Sequence, residues 1–298
     1  MATSTLRRQP GQQQPGYAPG AGRRTRDRVM TIVLAIVVAI AVAVLVWVLA
    51  YVAAQGFKYL SPAFFTHTPP GNPASYGGGY ANGIVGSLII VGIAALISVP
   101  VGIAAAIAII EYGGRLAAAA SFITDVLVGV PTIVTGAFIY ALWVIHFGFS
   151  GLAGSIALAL VMLPLVIRAT AEMLRLVPVH LREASAALGV SRARTIVSVV
   201  LPTAGSGIIT GVFLAVARAM GETAPLLLTA LGDQQFMQVH PTQRMSTLSL
   251  QIFTDAISGF QAAQARAWAG ALTLIIIVLL FAISARLISR RATITTRS

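Results

Sequence analysis

The chain has 298 residues, of which 57% are apolar and only 9% charged, and it carries a formal net charge of +12 and no cysteine. A soluble domain holds roughly 45–50% apolar and about 25% charged residues, so a soluble fold is excluded by the apolar surface it would have to hide, and disulfides, thiol nucleophiles and thiolate metal sites are excluded with the cysteines. Nineteen of the twenty basic residues are Arg, clustered by position and not interleaved with aromatics, which fits the positive-inside bias of a membrane protein and not a nucleic-acid-binding face.

Residues 1–29, rich in Gln, Pro, Gly and Arg, cannot bury enough apolar area to fold and read as a disordered basic tail. Residues 30–54 then run 25 positions without a charge. A spanning helix needs about 20, whereas the apolar core of a signal peptide is about 7–15, so this is a membrane helix kept in the mature protein. Further spans are expected near residues 83–110, near 117–145 with Asp125 inside, and near 151–167, the last continuing past Arg168. Two more are expected near 207–231, with Arg218 and Glu222 inside, and near 268–287. Gly86, Gly92, Gly129 and Gly136 can let helices approach closely, or reflect only the abundance of glycine in membrane helices.

Six spans put both termini on one side. Lys and Arg number six in the tail, one in the turn at 111–116, five in the loop at 168–206 and four at the C-terminus, sixteen on that side against three (Lys58, Arg244, Arg266) on the other. Both termini are therefore expected in the cytoplasm. The chain divides into the tail 1–29, a transmembrane domain 30–290 and a short cytoplasmic tail 291–298. No long internal repeat is visible, which weighs against transporters built from inverted repeats.

The longest cytoplasmic loop reads Glu183-Ala184-Ser185-Ala186-Ala187-Leu188-Gly189, then Val199-Val200-Leu201-Pro202. It predicts a short helix, a glycine and a second helix leading into the membrane. Leu181, Ala184, Ala187 and Leu188 share one face of the first; Gly189 fits a left-handed C-terminal cap, and Ser191 can cap the next. An amphipathic helix lying on the membrane would also satisfy this pattern. The loop resembles the signature loop of bacterial ABC importer permeases: Glu-Ala-Ala, three residues, Gly, nine residues, Ile, one residue, Leu-Pro. Glu183, Ala184, Gly189, Leu201 and Pro202 are in register, with departures at Ser185 and Val199. The resemblance implies a coupling helix that docks into an ATPase subunit through Glu183, Ala184 and Gly189. The only lysine is Lys58, in Gly56-Phe57-Lys58-Tyr59, so no P-loop is present. ATP and Mg are then expected on a partner ATPase, with no cofactor on this chain and no enzymatic site of its own.

The fifth span carries Arg218, Glu222, Thr223 and Pro225. An Arg near a bilayer centre costs on the order of 2.5–3.5 kcal/mol on insertion scales, which makes an intramembrane charge a functional candidate. Arg218 and Glu222, four apart, share a face and can pair. Pro225 cannot donate to the Gly221 carbonyl, so the helix is expected to kink or open there. A guanidinium fork suits an oxyanion because it offers two parallel hydrogen bonds and keeps its charge; a structural ion pair between helices fits the spacing equally well. Asp125 can partner Arg218 or Arg168. The four histidines, His67, His146, His180 and His240, are scattered and make no metal set.

Three stretches resemble the phosphate-specific permeases of the binding-protein-dependent ABC importers. Gly221-Glu222-Thr223-Ala224-Pro225-Leu226-Leu227 is the strongest, and its Thr-Ala-Pro continuation is similar to the PstA-type subunit more than to the PstC-type. Asp125 to Val134 looks like that family's third helix. Gly79 to Ser87, with Pro100 to Ile103 and Glu111-Tyr112-Gly113, looks like its second. The likeness covers roughly residues 30–290. It implies an all-α membrane protein with six transmembrane helices and the MetI-like permease fold of type I ABC importers. It further implies a PstC-type second permease, two PstB-type ATP-binding subunits and a PstS-type extracytoplasmic phosphate-binding protein as partners. The expected pathway residues are Arg218, Glu222, Thr223, Arg168 and Asp125. Permeases for other oxyanions, such as molybdate or phosphonate, and a stand-alone secondary transporter or channel are the alternatives.

Overall fold

The computed structural model describes residues 21–295, with side chains over residues 26–288. One unit ends at Tyr51 and a second begins at Val52, within a single long helix. This helix, α1 (Ala21–Tyr59), carries 34 residues, Arg26–Tyr59, long and apolar enough to cross a membrane. Its apolar side chains between Val29 and Val48 are exposed, as lipid-facing residues would be. Residues 21–29, expected within the disordered tail, are helical: once an apolar helix has nucleated, each added residue gains a hydrogen bond at little cost. The rest of that tail, residues 1–20, and residues 296–298 lie outside the described residues.

The second unit contains α2 (Pro62–Thr66), α3 (Ala81–Ile107) ending in a wide π turn (Ala108–Tyr112), and α4 (Gly114–Gly129). Next come α5 (Thr132–Ile139), a second π turn (Tyr140–Val144), α6 (Ile145–Phe147) and α7 (Gly151–Arg175). The loop expected to couple forms α8 (Val179–Ala187), α9 (Arg192–Thr195) and a third π turn (Ile196–Val200) that runs into α10 (Leu201–Met220). Last are α11 (Ala224–Leu227), α12 (Leu248–Ala256) and α13 (Gln261–Thr295). By length and composition, five helices of the described residues can each cross a membrane, and a sixth crossing is the pair Gly114–Gly129 and Thr132–Phe147, bent by 105°.

The third span, expected near 117–145, is thus present as a bent pair. Pro131 has no N–H to donate and crowds the residue before it out of helical geometry; Val130 accordingly sits at φ −76°, ψ 126°. The fifth span also stops early, α10 ending at Met220, so the opening lies at Gly221–Thr223 just ahead of Pro225. The nine-residue α12 was not anticipated at all, because its hydrophobic run is too short to stand out.

Buried residues of α3 (Ile90, Ala94), α7 (Leu158, Met162, Val166) and α10 (Ala215, Ala219) form one core with Leu226 of α11. A second core joins Ala106 of α3, Ile167 and Leu174 of α7, and Val200 and Ala204 beside the coupling loop. Of the four glycines suggested to bring helices together, Gly136 does so, Gly86 admits the backbone of Ser246 in the segment before α12, and Gly92 and Gly129 face open space. At Gly136, on α5, a Cβ would stand 2.6 Å from Pro225 Cα, so the two interrupted segments touch backbone to backbone.

Candidate functional site

Arg218 sits in the last turn of α10, where the partial negative charge of the helix end favours a cation. Its Nε lies 3.7 Å from Glu222 Oε1, beyond hydrogen-bond range, and the Arg218 side chain is 62% exposed against 16% for Glu222. The pairing expected at four-residue spacing therefore forms, loosely. The guanidinium borders a cavity of about 160 Å³ walled by α4 (Leu127, Val128), the hinge residue Val130, α5 (Thr132, Thr135) and α7 (Leu160, Pro164, Leu165). Arg218 is the one charged residue on that wall, and the hydroxyls of Thr132 and Thr135 are its polar company. Thr223 is not on the wall: its hydroxyl faces the Gly221 carbonyl at 3.5 Å, and its own carbonyl accepts from Leu226 and Leu227 N–H to start α11. The Glu222 carbonyl is held by the Ser249 hydroxyl of α12 at 2.9 Å, which fixes the opened segment.

Asp125 pairs with Arg168, not with Arg218, at 2.9 Å. Both side chains are more than half exposed in the chain by itself. They border a second cavity, about 390 Å³, with Thr124, Ile167 and the ion-paired Glu172 and Arg175. Both cavities lie along the seam of α4 and α7; Leu165 lines the first and Ile167 the second. Of the expected pathway residues, Arg218 thus borders one cavity and Arg168 with Asp125 the other, on one seam, while Glu222 and Thr223 line neither.

The loop expected to couple takes the shape its glycine requires. Gly189 has φ +73°, and its N–H and that of Val190 donate to the Ala186 and Ser185 carbonyls at 2.9 and 3.1 Å, a complete Schellman cap. Glu183, Ala184 and Gly189 are exposed, as a docking surface requires; Leu201 is half-buried and Pro202 exposed at the start of α10. Ser191 occupies the N-cap position of α9 without a side-chain cap bond. The inward face of α8 is Leu181, Arg182 and Ser185, while Ala184, Ala187 and Leu188 face outward, which corrects the face read from spacing. The sequence departure at Ser185 has a physical use: its hydroxyl bonds the Thr195 hydroxyl at 2.7 Å and ties α8 to α9.

Two charged networks were missed because their members are far apart in the chain. Arg182 Nη2 donates to Glu111 Oε1 at 2.6 Å across 71 residues. Near the N-terminal ends of α3 and α13, the Tyr80 hydroxyl donates to Asp255 at 2.6 Å, and Arg266 donates to Asp255 at 3.3 Å and to the Ser75 carbonyl at 2.8 Å. Burial above all, then the adjacent Asp255 carboxylate and the hydrogen bond to it, push the Tyr80 hydroxyl far above its ordinary value, against a smaller opposing pull from Arg266.

Comparison with known proteins matches this architecture. The phosphate transport system permease protein PstA of Yersinia pestis is 42% identical over 272 residues, 90% of this chain and 91% of its own. PstA 1 of Mycobacterium tuberculosis (strain CDC 1551 / Oshkosh) is 42% identical over 81% of each chain. PstA of Haemophilus influenzae is 43% identical over 78% of this chain and 83% of its own. Among solved structures, the inward-facing MetNI methionine ABC transporter superposes with a TM-score of 0.60 at 17% identity, over 71% of this chain and 95% of that one. An amino acid ABC transporter solved with histidines gives 0.56 at 20% identity, over 71% and 93%. Those identities speak for fold alone, an ABC importer permease fold. Residues 98–294 match the family described as binding-protein-dependent transport system inner membrane component. With that match over most of its length, and with relatives above 40% identity, this multi-pass membrane chain belongs to the family of binding-protein-dependent transport system inner membrane components.

Proposed function

We propose that the chain is one of two permease subunits forming the translocation pathway of an ATP-driven importer of inorganic phosphate. The observation that carries this is the contrast between Arg218 and the structural arginines. Arg182 and Arg266 have their forks filled by a carboxylate and two backbone carbonyls each. Arg218 is more exposed, sits 3.7 Å from its one ion-pair partner among the described residues, and borders a cavity. A permanently charged fork left open in a neutral-walled cavity suits a tetrahedral oxyanion. The relatives named above as phosphate permeases support phosphate as that anion.

The partners in this reading are a PstC-type permease, two PstB-type subunits that bind ATP and Mg, and a PstS-type phosphate-binding protein. The chain sits in the bacterial plasma membrane with both termini cytoplasmic, as the asymmetry of Arg and Lys supports. ATP-driven closure of the ATPases pushes the Gly189 loop, the outer side opens, phosphate passes to Arg218, and hydrolysis restores the inward state. Glu222 holds the Arg218 side chain while the anion is absent. Arg168 on the same seam is a later station, with Asp125 as its placeholder. The affinity must be weak, since tight binding would stall turnover.

The test is uptake of labelled phosphate into vesicles bearing the whole complex, with and without ATP, normalised to assembled complex. Arg218→Gln should abolish uptake with assembly intact, and Arg218→Lys should keep some. Full uptake by the double variant Arg218→Gln, Glu222→Gln would refute the role of Arg218, and competition by molybdate or a phosphonate better than by phosphate would reassign the substrate. Tags at Pro73 and Gln238 should be labelled by impermeant reagents from outside; labelling of tags at Gln12 and Arg297 instead would invert the orientation.

A further inference from the structure

We infer that the Glu111–Tyr112 turn at the end of α3 is the receiver of the coupling loop, gripping both of its arms through Arg182 and Arg192 and handing a push on α8 to the α3–α7 pair. This rests on the reading of the chain as an ATP-driven permease.

The grip begins with an irregularity. After Ile107 the helix widens into the π turn Ala108–Tyr112, closed by the Gly113 N–H on the Ala108 carbonyl at 3.0 Å. Single π turns inside helices are uncommon and are found often at functional sites. This one sends two neighbouring side chains different ways: Glu111 is 6% exposed, Tyr112 55%. Glu111 takes the Arg182 fork, Nη2 at 2.6 Å and Nε at 3.2 Å from Oε1. Arg182 precedes Glu183 of the docking surface in sequence, so α8 cannot shift without carrying that bond. Tyr112 presents its ring to Arg192 of α9, whose guanidinium carbon lies 5.1 Å from the ring centre. Two adjacent residues of α3 therefore hold both arms of the loop, and the Ser185–Thr195 bond locks the arms to each other.

The same guanidinium reaches α7. Arg182 Nη2 and Nη1 donate to the Leu174 and Val177 carbonyls at 3.0 and 2.7 Å, at and just beyond the end of that helix. Upstream on α7 stand Arg168, Leu165 and Pro164, which wall the two cavities. A buried ion pair adds little net stability over an apolar pair of the same shape, while its fork geometry fixes position and angle. An anchor needed only to hold the loop down would be served by apolar contact; a forked ion pair shared among α3, α7 and α8 transmits direction.

The experiment uses the complete complex in proteoliposomes and two readouts, phosphate taken up per ATP hydrolysed and opening of the cavity beside Arg168. The chain has no cysteine, so Ser121→Cys, on the wall of that cavity, gives this chain a single thiol, whose labelling rate, read on the separated chain, reports opening whatever the substrate. In the otherwise unaltered chain, ATP should change that rate. Glu111→Gln should keep ATP hydrolysis within about twofold and lower phosphate per ATP by about tenfold, inside the range of couplings between sites, and should remove the ATP-dependent change in labelling. Tyr112→Leu should lower coupling by about fivefold, at the weak end of that range, and Tyr112→Phe, which keeps the ring, should match the parent. A merely structural role would alter the amount of complex and leave both per-complex readouts alone. Parental coupling and labelling in both Glu111→Gln and Tyr112→Leu would overturn the receiver. Should Glu111→Gln fail to assemble, identical values for Tyr112→Leu and Tyr112→Phe would overturn it equally. A parent whose labelling responds to ATP but which takes up no phosphate would sink the substrate reading alone; a parent that responds in neither readout would sink both.

Discussion

Replacing Gly189 tests whether the loop after α8 needs only its shape or also meets an ATPase. Gly189 sits at φ +73° and closes the Schellman cap of α8, and a Cβ built there meets nothing within 4 Å. Within this chain a side chain at 189 therefore costs only its backbone strain. That is about 1–2 kcal/mol for Ala and more for a β-branched Val, while Asn, which visits the left-handed region readily, costs less. Against a domain stability of roughly 5–15 kcal/mol all three variants should insert and fold. Thermal stability of the isolated permease should fall in the order Gly, Asn, Ala, Val. If an ATPase surface lies flat against Gly189, retention of the ATPase in detergent pull-downs should instead follow side-chain size, with Asn as damaging as Val. Retention that follows strain, with Asn like the parent, would refute direct contact and leave Gly189 a role only in loop shape. Normal phosphate uptake by Gly189→Val would refute docking through this loop.

Two further outcomes concern the frame around the site. Gly136→Ala places a Cβ 2.6 Å from Pro225 Cα and 2.9 Å from its carbonyl oxygen; backbone cannot step aside, so the thermal midpoint in detergent should drop by the equivalent of about 1–3 kcal/mol, while Gly129→Ala, in open space, should leave it unchanged. Tyr80 keeps its proton in the folded protein because burial and Asp255 raise its hydroxyl above the value of about 10 that it has when unfolded. Its contribution should be complete at pH 6–9 and lost only as pH rises beyond about 10; Tyr80→Phe should remove about 1.5–3 kcal/mol, the worth of a hydrogen bond to a charged acceptor, and flatten that alkaline loss in melting curves.

What the sequence made legible was what depends on near neighbours. Long uncharged runs marked α1, α3 and α13; a glycine just past the helix of the loop at 168–206 marked the cap at Gly189; four-residue spacing marked Arg218 with Glu222; and Pro225 marked an opening that the chain makes at Gly221–Thr223. Direction was not legible. Pro131 was in plain view, yet hydropathy sums over a window and is blind to a 105° turn within it. Partners across long stretches were not legible either: Glu111 with Arg182, and Tyr80 with Asp255 across 175 residues, carry no local signature. Asp125 had two candidate arginines, and only the packing of α4 on α7 chose Arg168.

The bend at Pro131 also constrains how this protein can be made. Helix α4 has 16 residues, roughly 24 Å at the rise of an α-helix, too short for a hydrocarbon layer roughly 30 Å thick, and the second half, Thr132–Phe147, is no longer. Neither half can be released into lipid as a finished helix, and the broken backbone between them exposes polar groups that lipid cannot satisfy. The bent pair packs against α7 and, at Gly136, against Pro225 of α11, which leave the ribosome later. The third segment is therefore expected to wait at the insertion machinery until about residue 227 has been synthesised, so that this stretch is threaded as a cohort and not helix by helix. Nascent chains truncated at Phe147 should accordingly be cleared by membrane proteases faster than chains truncated at Leu231, and equal lifetimes would show that the bent pair needs no such wait.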